Sequence, residues 1–460
     1  METIKLKSPI DGSIYAERPV AAEAEIGAAV ERARSAQLGW AGTPIDEKAK
    51  YLLAFLEALV EMNDDIVPEL AWQMGRPVRY GGEKDGVEER TRYMVALAEK
   101  ALAPFIPEER PGFRRYLKRE PLGVVFVIAP WNYPYLTAVN SIVPALMAGN
   151  AVILKHAAQT LQVGERFQAA FDRAGLPKGL FQNIVLSHGQ TEKLLGSGKV
   201  DHCNFTGSVA GGRAIEKAAA GTFMTLGLEL GGKDPAYVLP DVKLDHAIAN
   251  LVDGAFYNSG QCCCGIERVY VHEKVYDDFV DGFIAETKNY VVGNPLDQST
   301  TMGPMAQARF ADFIREQKVE ALRKGATAHI GMTVEGDSEG SPYIAPEVLT
   351  GVNHQMSVMR EESFGPIVGI MKVHDDEEAI ALMNDSPYGL TASLWTTDTD
   401  HAARLGDRIE TGTVFMNRCD YVDPGLVWTG VKDTGKGGAM SVVGYENLTR
   451  PKSYHLREAI

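Results

Sequence analysis

Cysteine is scarce in this chain: five in 460 residues, an odd number, with three side by side at Cys262, Cys263 and Cys264. That set excludes a disulfide framework, because adjacent cysteines reach ordinary disulfide geometry only under strain. The spacing usual for zinc, ligand pairs separated by two to four residues, is missing as well. No apolar run approaches the roughly 18 uncharged residues of a membrane span. Met1 to Lys7 lacks the apolar core of an export signal. Nor is there a basic surplus. Forty-six Lys and Arg stand against 61 Asp and Glu, a formal net charge of −15, which argues against nucleic acid or an anionic membrane as partner. Free thiols without an export signal point to a reducing, cytoplasmic setting.

What is present reads as a large α/β protein. The first hundred residues look helical: Ile26, Val30 and Ala33, then Leu52, Phe55, Leu56 and Leu59, recur at helical spacing. Asn63-Asp64-Asp65 is placed to cap a further helix. Pro107 to Glu120 reads as an exposed ribbon that leaves a domain and returns. From Gly123 onward short apolar runs alternate with helical stripes such as Val163, Phe167 and Phe171, which predicts buried parallel strands covered on both faces. A second series of strands starts near Pro235, so two α/β domains meet near Gly231-Gly232. The stretch Ser453 to Leu456 looks like a strand with no partner in its own domain.

Several motifs fall at predicted strand ends, where such proteins build their sites. In Pro130-Trp131-Asn132-Tyr133-Pro134 an amide on a proline-bounded turn is able to donate to a developing oxyanion, or simply to close a turn. Lys155 leaves a strand as a cation suited to a ribose or a phosphate. At Gly207-Ser208 a helix begins whose N–H groups suit a pyrophosphate, although the segment lacks the usual G-x-G-x-x-G pattern. Glu229 sits between leucines beside a Gly pair, as a general base or as a carboxylate held by N–H groups or a lysine. Glu362 offers an acceptor for a sugar hydroxyl, and Phe364 an aromatic wall for a flat ring. The cysteines themselves read as a soft nucleophile or as buried apolar filler.

Taken together, in their order and spacing from about Ser8 onward, these segments resemble the aldehyde dehydrogenase superfamily. That resemblance implies a Rossmann-type cofactor domain from 1–106 and 125–231, a second α/β catalytic domain at 232–435, and oligomerisation elements at 107–124 and 436–460. It selects Cys263 as nucleophile, Glu229 as base and Asn132 as oxyanion donor. Lys155, Gly207, Ser208, Glu362, Phe364 and Trp131 become ligands of NAD or NADP, and no metal site is implied. Tyr133 and the loop from Arg418 to Pro424, with Tyr421, border the substrate tunnel. The implied partners are a small aldehyde and further copies of the chain, as a homodimer or homotetramer. Cys262 and Cys264 are expected to pack and to point away from the nucleophile.

The chemistry follows from these roles. A thiolate adds to the aldehyde, and the resulting alkoxide expels hydride to leave a thioester. A general base then activates water to release the acid. Ala158 stands where the family often has a Glu that binds the adenosine ribose, so a 2′-phosphate meets no repulsion and NADP is expected to be accepted. Relatives acting on carboxylated semialdehydes, such as succinate-semialdehyde dehydrogenases, often carry an Arg where this chain has Asn140 and Ser141. That difference and the acidic, aromatic late loop favour an uncharged or amine-bearing aldehyde. Leu426 to Lys432 departs from the family's usual Pro-Phe-Gly-Gly, which bears on the tunnel's shape and leaves the chemistry untouched. Rival readings are an acylating dehydrogenase, a catalytically silent binding protein and a thiol redox sensor.

Overall fold

Short β-rich runs, amphipathic helices and glycine turns resolve into two largely parallel sheets with helices on both faces. The structure is a computed structural model and describes residues 2–458. The first sheet has the order Gly435–Lys436, Thr225–Glu229, His202–Thr206, Val124–Ile128, Ala151–Lys155, Phe181–Asn183. All neighbours are parallel except the Gly435–Lys436 edge. Val124–Ile128 and Ala151–Lys155 are buried throughout, the continuous apolar texture of strands covered on both sides. Chain order reverses between Val124–Ile128 and His202–Thr206, so the crevice at a topological switch point opens where Trp131-Asn132 and Gly207-Ser208 leave the sheet.

The second sheet runs Thr327–Ala328, Glu347–Thr350, Ile367–Val373, Ile266–His272, Asp234–Val238, Thr391–Trp395, Thr413–Met416. One short step joins the sheets: Glu229 ends a strand of the first and Asp234 begins a strand of the second. The chain returns to the first sheet at Gly435, which pairs with Glu229. Both ends of the Glu229–Gly232 segment are therefore clamped.

The helical stripes behave as their spacing predicts. Phe167 and Phe171 on Leu161–Arg173 pack against Phe55 of Ile45–Val60, with ring centroids 5.9 and 3.9 Å away. Asn63, read as a cap, is instead the first residue of the helix Asn63–Met74, with Asp64 and Asp65 in its first turn.

Two other expectations need correction. The chain opens with a hairpin, Thr3–Lys7 against Ile14–Pro19, before its first helix. Each strand has a single buried apolar residue, Leu6 and Ala16, too short an alternation to register as a period. The late strand has a partner after all: Thr449–Arg457 pairs antiparallel with Phe113–Pro121 over nine residues. Tyr116 stacks on Tyr454 across this ribbon at 4.4 Å.

Candidate active site

The three cysteines lie on a turn that immediately precedes the strand Ile266–His272. Asn258, Ser259 and Gly260 all have positive φ, which folds the approach to Gln261 tightly. Gly260 is required there: a Cβ would stand 2.4 Å from the carbonyl oxygen of Gly365. Asn132 reaches this turn from the first sheet, and its Nδ2 donates to the Gln261 carbonyl at 3.2 Å. One amide proton remains for another acceptor. The backbone N–H of Cys263 has no intramolecular acceptor among the described residues.

Asn132 is fixed by residues that no local motif reveals. Arg76 and the side chain of Asn258 both donate to its carbonyl, the latter at 3.2 Å. Arg76 is buried and paired with buried Glu83 at 2.6 Å. Glu83 also accepts from the N–H groups of Tyr135 and Leu136 at 2.9 and 2.6 Å, capping the helix Pro134–Met147. Removing either partner of so buried a pair would leave the other charge stranded, at a cost of about 3–5 kcal/mol.

Glu229 lies at the end of its strand with one side-chain partner, the hydroxyl of Thr206 at 3.2 Å. Burial pushes its pKa up to about 7, against smaller lowering by Thr206 and the Arg90 cation. The following Gly pair is sterically obligatory. A Cβ on Gly231 would stand 2.2 Å from the Glu362 carboxylate, and one on Gly232 2.7 Å from the carbonyl oxygen of Cys263. Thr434 secures the same segment, accepting from Leu230 N at 2.9 Å and donating to Gly231 O at 2.9 Å.

Cys262 and Cys264 are buried, as expected, but they do not point elsewhere. All three sulfurs lie within 4.8 Å of one another, and both flanking thiols donate to Asp420 Oδ1 at 3.0 Å. The neighbouring Cys262 and Cys264 side chains lower the Cys263 pKa to about 6, against a smaller opposing effect of burial. The Cys262 thiol is correspondingly pushed up to about 12, first by its bond to Cys263.

Trp131 stacks on Phe310 with centroids 5.5 Å apart and meets Phe364 edge-on at 5.6 Å. Glu362 folds over the Gly pair, accepting from Gly232 N at 3.1 Å, and burial raises its pKa to about 8. Its loop is anchored by Glu267, which accepts from the N–H groups of Ser363 and Phe364, each at 2.8 Å, and pairs with buried Lys233 at 2.5 Å. Lys155 is buried and forms no ion pair among the described residues, an orphan cation that suits an anionic ligand. Ser208 caps the helix Val209–Ala219 by accepting from Gly211 N at 3.1 Å. The space left by the missing Cβ of Gly207 is taken by the Phe205 ring, 2.6 Å from where a Cβ would stand.

The two tunnel expectations fare differently. Tyr133 lies against Arg76, whose guanidinium is 4.9 Å from its ring centre, and its buried hydroxyl has no hydrogen-bond partner among the described residues. Tyr421 instead donates to Glu89 at 2.6 Å in an exposed pair, with Arg418 over its ring at 3.8 Å.

A sequence model described as the aldehyde dehydrogenase family matches residues 1–454. The chain belongs to the aldehyde dehydrogenase family. It is 35% identical over 435 residues to an aldehyde dehydrogenase of Paenarthrobacter nicotinovorans, covering 93% of this chain and 94% of the relative. An NADP(+) succinate-semialdehyde dehydrogenase of Mycobacterium avium (strain 104) is 32% identical, covering 97% and 95%. The fold also matches the crystal structure of succinic semialdehyde dehydrogenase from Streptococcus pyogenes in complex with NADP+. That match has a TM-score of 0.94 at 26% identity and covers 99% of this chain and 100% of the other. This aldehyde dehydrogenase thus oxidises an aldehyde with NAD or NADP, and the orphan Lys155 and the aromatic walls of the crevice fit such a cofactor. No helix among the described residues is long and apolar enough to cross a membrane.

Proposed function

We propose that Cys263 is the nucleophile, Glu229 the hydrolytic base, and Asn132 with the N–H of Cys263 the oxyanion site. The observation that carries this is the meeting of three separate segments at one turn. Asn132 bonds the residue two before Cys263, and Gly232, three residues after Glu229, packs on its carbonyl. The thiol pair beside Cys263 favours its thiolate, which adds to the carbonyl carbon while the amide and N–H donors hold the alkoxide. NAD(P) supplies the acceptor for the hydride that leaves. Glu229, near neutral in pKa, then takes a proton from water attacking the thioester. An acylating dehydrogenase would have little use for a hydrolytic base, so Glu229 argues against that rival. A panel of aldehydes assayed with NAD and with NADP tests this: Cys263→Ala is expected to abolish NAD(P)H formation, and its persistence would refute the mechanism.

One observation bears on the substrate. Arg90, on the helix Lys84–Leu102, donates to Leu136 O at 3.1 Å and Asn140 Oδ1 at 3.2 Å through a single nitrogen. It has no carboxylate within ion-pair distance among the described residues; burial lowers its pKa, opposed first by Glu83 and then by Cys264, Glu229 and Glu89. The sequence favours an uncharged or amine-bearing aldehyde because Asn140 and Ser141 stand where relatives carry an Arg and because the late loop is acidic and aromatic; on the first ground, Arg90 brings a guanidinium to Asn140 from another helix. This favours a short aldehyde with an anionic tail.

The cofactor reading extends to NADP, supported by Ala158 close behind the unpaired Lys155. We keep the division into a cofactor domain at 1–106 and 125–231, a catalytic domain at 232–435 and oligomerisation elements as a proposal, with Gly435–Lys436 paired to the first sheet. We assign the Phe113–Pro121 and Thr449–Arg457 ribbon to self-association, as homodimer or homotetramer. The ribbon is a two-stranded sheet separate from the two large ones, and Phe105, Ile106, Leu117 and Leu456 are exposed on or beside it. The free thiols suit a cytoplasmic setting.

A further inference from the structure

The spacing of the three cysteines argues against a metal site; their folded arrangement does not. Gly265 N donates to Cys262 O at 3.2 Å, closing a turn that swings alternate side chains to one side. Cys262 and Cys264 sulfurs come to 3.5 Å, and Cys263 lies within 4.8 Å of both. Asp420, held at φ 53°, aims one carboxylate oxygen between the flanking thiols at 3.0 Å from each. Thiolates bound at about 2.3 Å around a tetrahedral zinc ion stand roughly 3.8 Å apart, so only small side-chain rotations separate this cluster from a closed site.

We propose that Cys262, Cys263, Cys264 and Asp420 form a site for a soft divalent cation of the zinc class, and that its occupancy reversibly switches the enzyme off. Three sulfurs and one oxygen select thiophilic ions over magnesium and calcium, which take oxygen ligands. The step involves no redox change. Cys262 and Cys264 give their protons to solvent, three metal–sulfur bonds form with the Cys263 thiolate as the third sulfur, and the Asp420 oxygen, relieved of its two thiol donors, becomes the fourth ligand. Cys262 and Cys264 are buried while Cys263 is partly exposed, so the ion enters by the opening the aldehyde uses. Metal and aldehyde therefore compete.

Binding rests on the cluster alone; inhibition rests also on Cys263 being the nucleophile. Cobalt(II) is the probe, titrated anaerobically into the full-length enzyme. One equivalent per subunit should raise a thiolate-to-cobalt charge-transfer band, which zinc then displaces while aldehyde oxidation is lost and an excess of chelator restores it. Cys264→Ser and Cys262→Ser should each weaken binding at least about tenfold and lower the band by about a third. Asp420→Asn should weaken binding while keeping the full sulfur band. Absence of a band at one equivalent, or a band indifferent to both serine variants, overturns the site. A normal band without inhibition overturns the switch, and NAD(P)H formation by Cys263→Ala would show separately that the nucleophile is assigned wrongly. Should one serine variant fold poorly, the other and Asp420→Asn still separate a bound site from an empty one.

Discussion

Gly232 packs directly on Cys263: a Cβ at position 232 would stand 2.7 Å from the carbonyl oxygen of the nucleophile's residue. Neither backbone has space to retreat, because Gly231 is held by Thr434 and covered by Glu362. Gly232→Ala should therefore displace the cysteine turn from Asn132. A shift near 1 Å at a reacting atom costs about a hundredfold, so kcat should fall by that order. Steady-state kinetics together with a thermal melt would check this, since the loss should exceed anything explained by unfolded protein.

Asn132→Ala removes a donor from the oxyanion site and frees the Gln261 carbonyl. Loss of one such donor is worth about 3 kcal/mol, or roughly a hundredfold in kcat. Single-turnover measurement of NAD(P)H formation should show the defect in the first chemical step. A defect confined to thioester hydrolysis would contradict the assignment.

Glu229 provides the pH prediction. With its pKa raised to about 7, it is protonated below that value and cannot accept a proton from water. Thioester hydrolysis should climb as pH rises through about 7, and Glu229→Gln should lose the climb and accumulate acyl-enzyme. Stability moves the opposite way. The folded state holds this proton more tightly than the unfolded state, so stability falls as pH rises from about 4.5 to about 7. Glu229→Gln should consequently melt higher than the parent above pH 7, by a margin that vanishes in acid.

Arg90→Met tests the substrate class. A hydrogen bond to a charged group is worth about 1.5–3 kcal/mol, so kcat/KM for a carboxylated aldehyde should drop about tenfold to a hundredfold. A neutral aldehyde of the same length should be barely affected. Equal losses on both would mark Arg90 as a tie between helices.

Ala158→Glu tests the cofactor. A carboxylate there would face the 2′-phosphate, and like charges brought together cost several kcal/mol. The ratio of kcat/KM for NADP over NAD should fall about a hundredfold. A parent enzyme that prefers NAD a thousandfold would already refute the reading.

The parts of this fold that were legible in sequence are those written locally. Val163, Phe167 and Phe171 announce one helix face, and most strands of the two sheets are short apolar runs between turns. The site's supports are different. Arg76 meets Asn132 and Asn258, Lys233 meets Glu267 and Ser363, and Asp420 meets Cys262 and Cys264, all across long stretches of chain. A buried ion pair has no local period, so its members look like ordinary surface charges until the fold brings them together. The converging thiols were hidden for a similar reason, because spacing along the chain says little about a turn that reverses in three residues.

The ribbon between Phe113–Pro121 and Thr449–Arg457 has a consequence for the life of the polypeptide. One strand leaves the ribosome early, while its mate emerges only after both sheets have been translated. A truncated or stalled product can bury most of its core and still lack this paired surface. If self-association uses the ribbon, assembly waits until Thr449–Arg457 has been made, and nascent chains on one message are kept from joining before then.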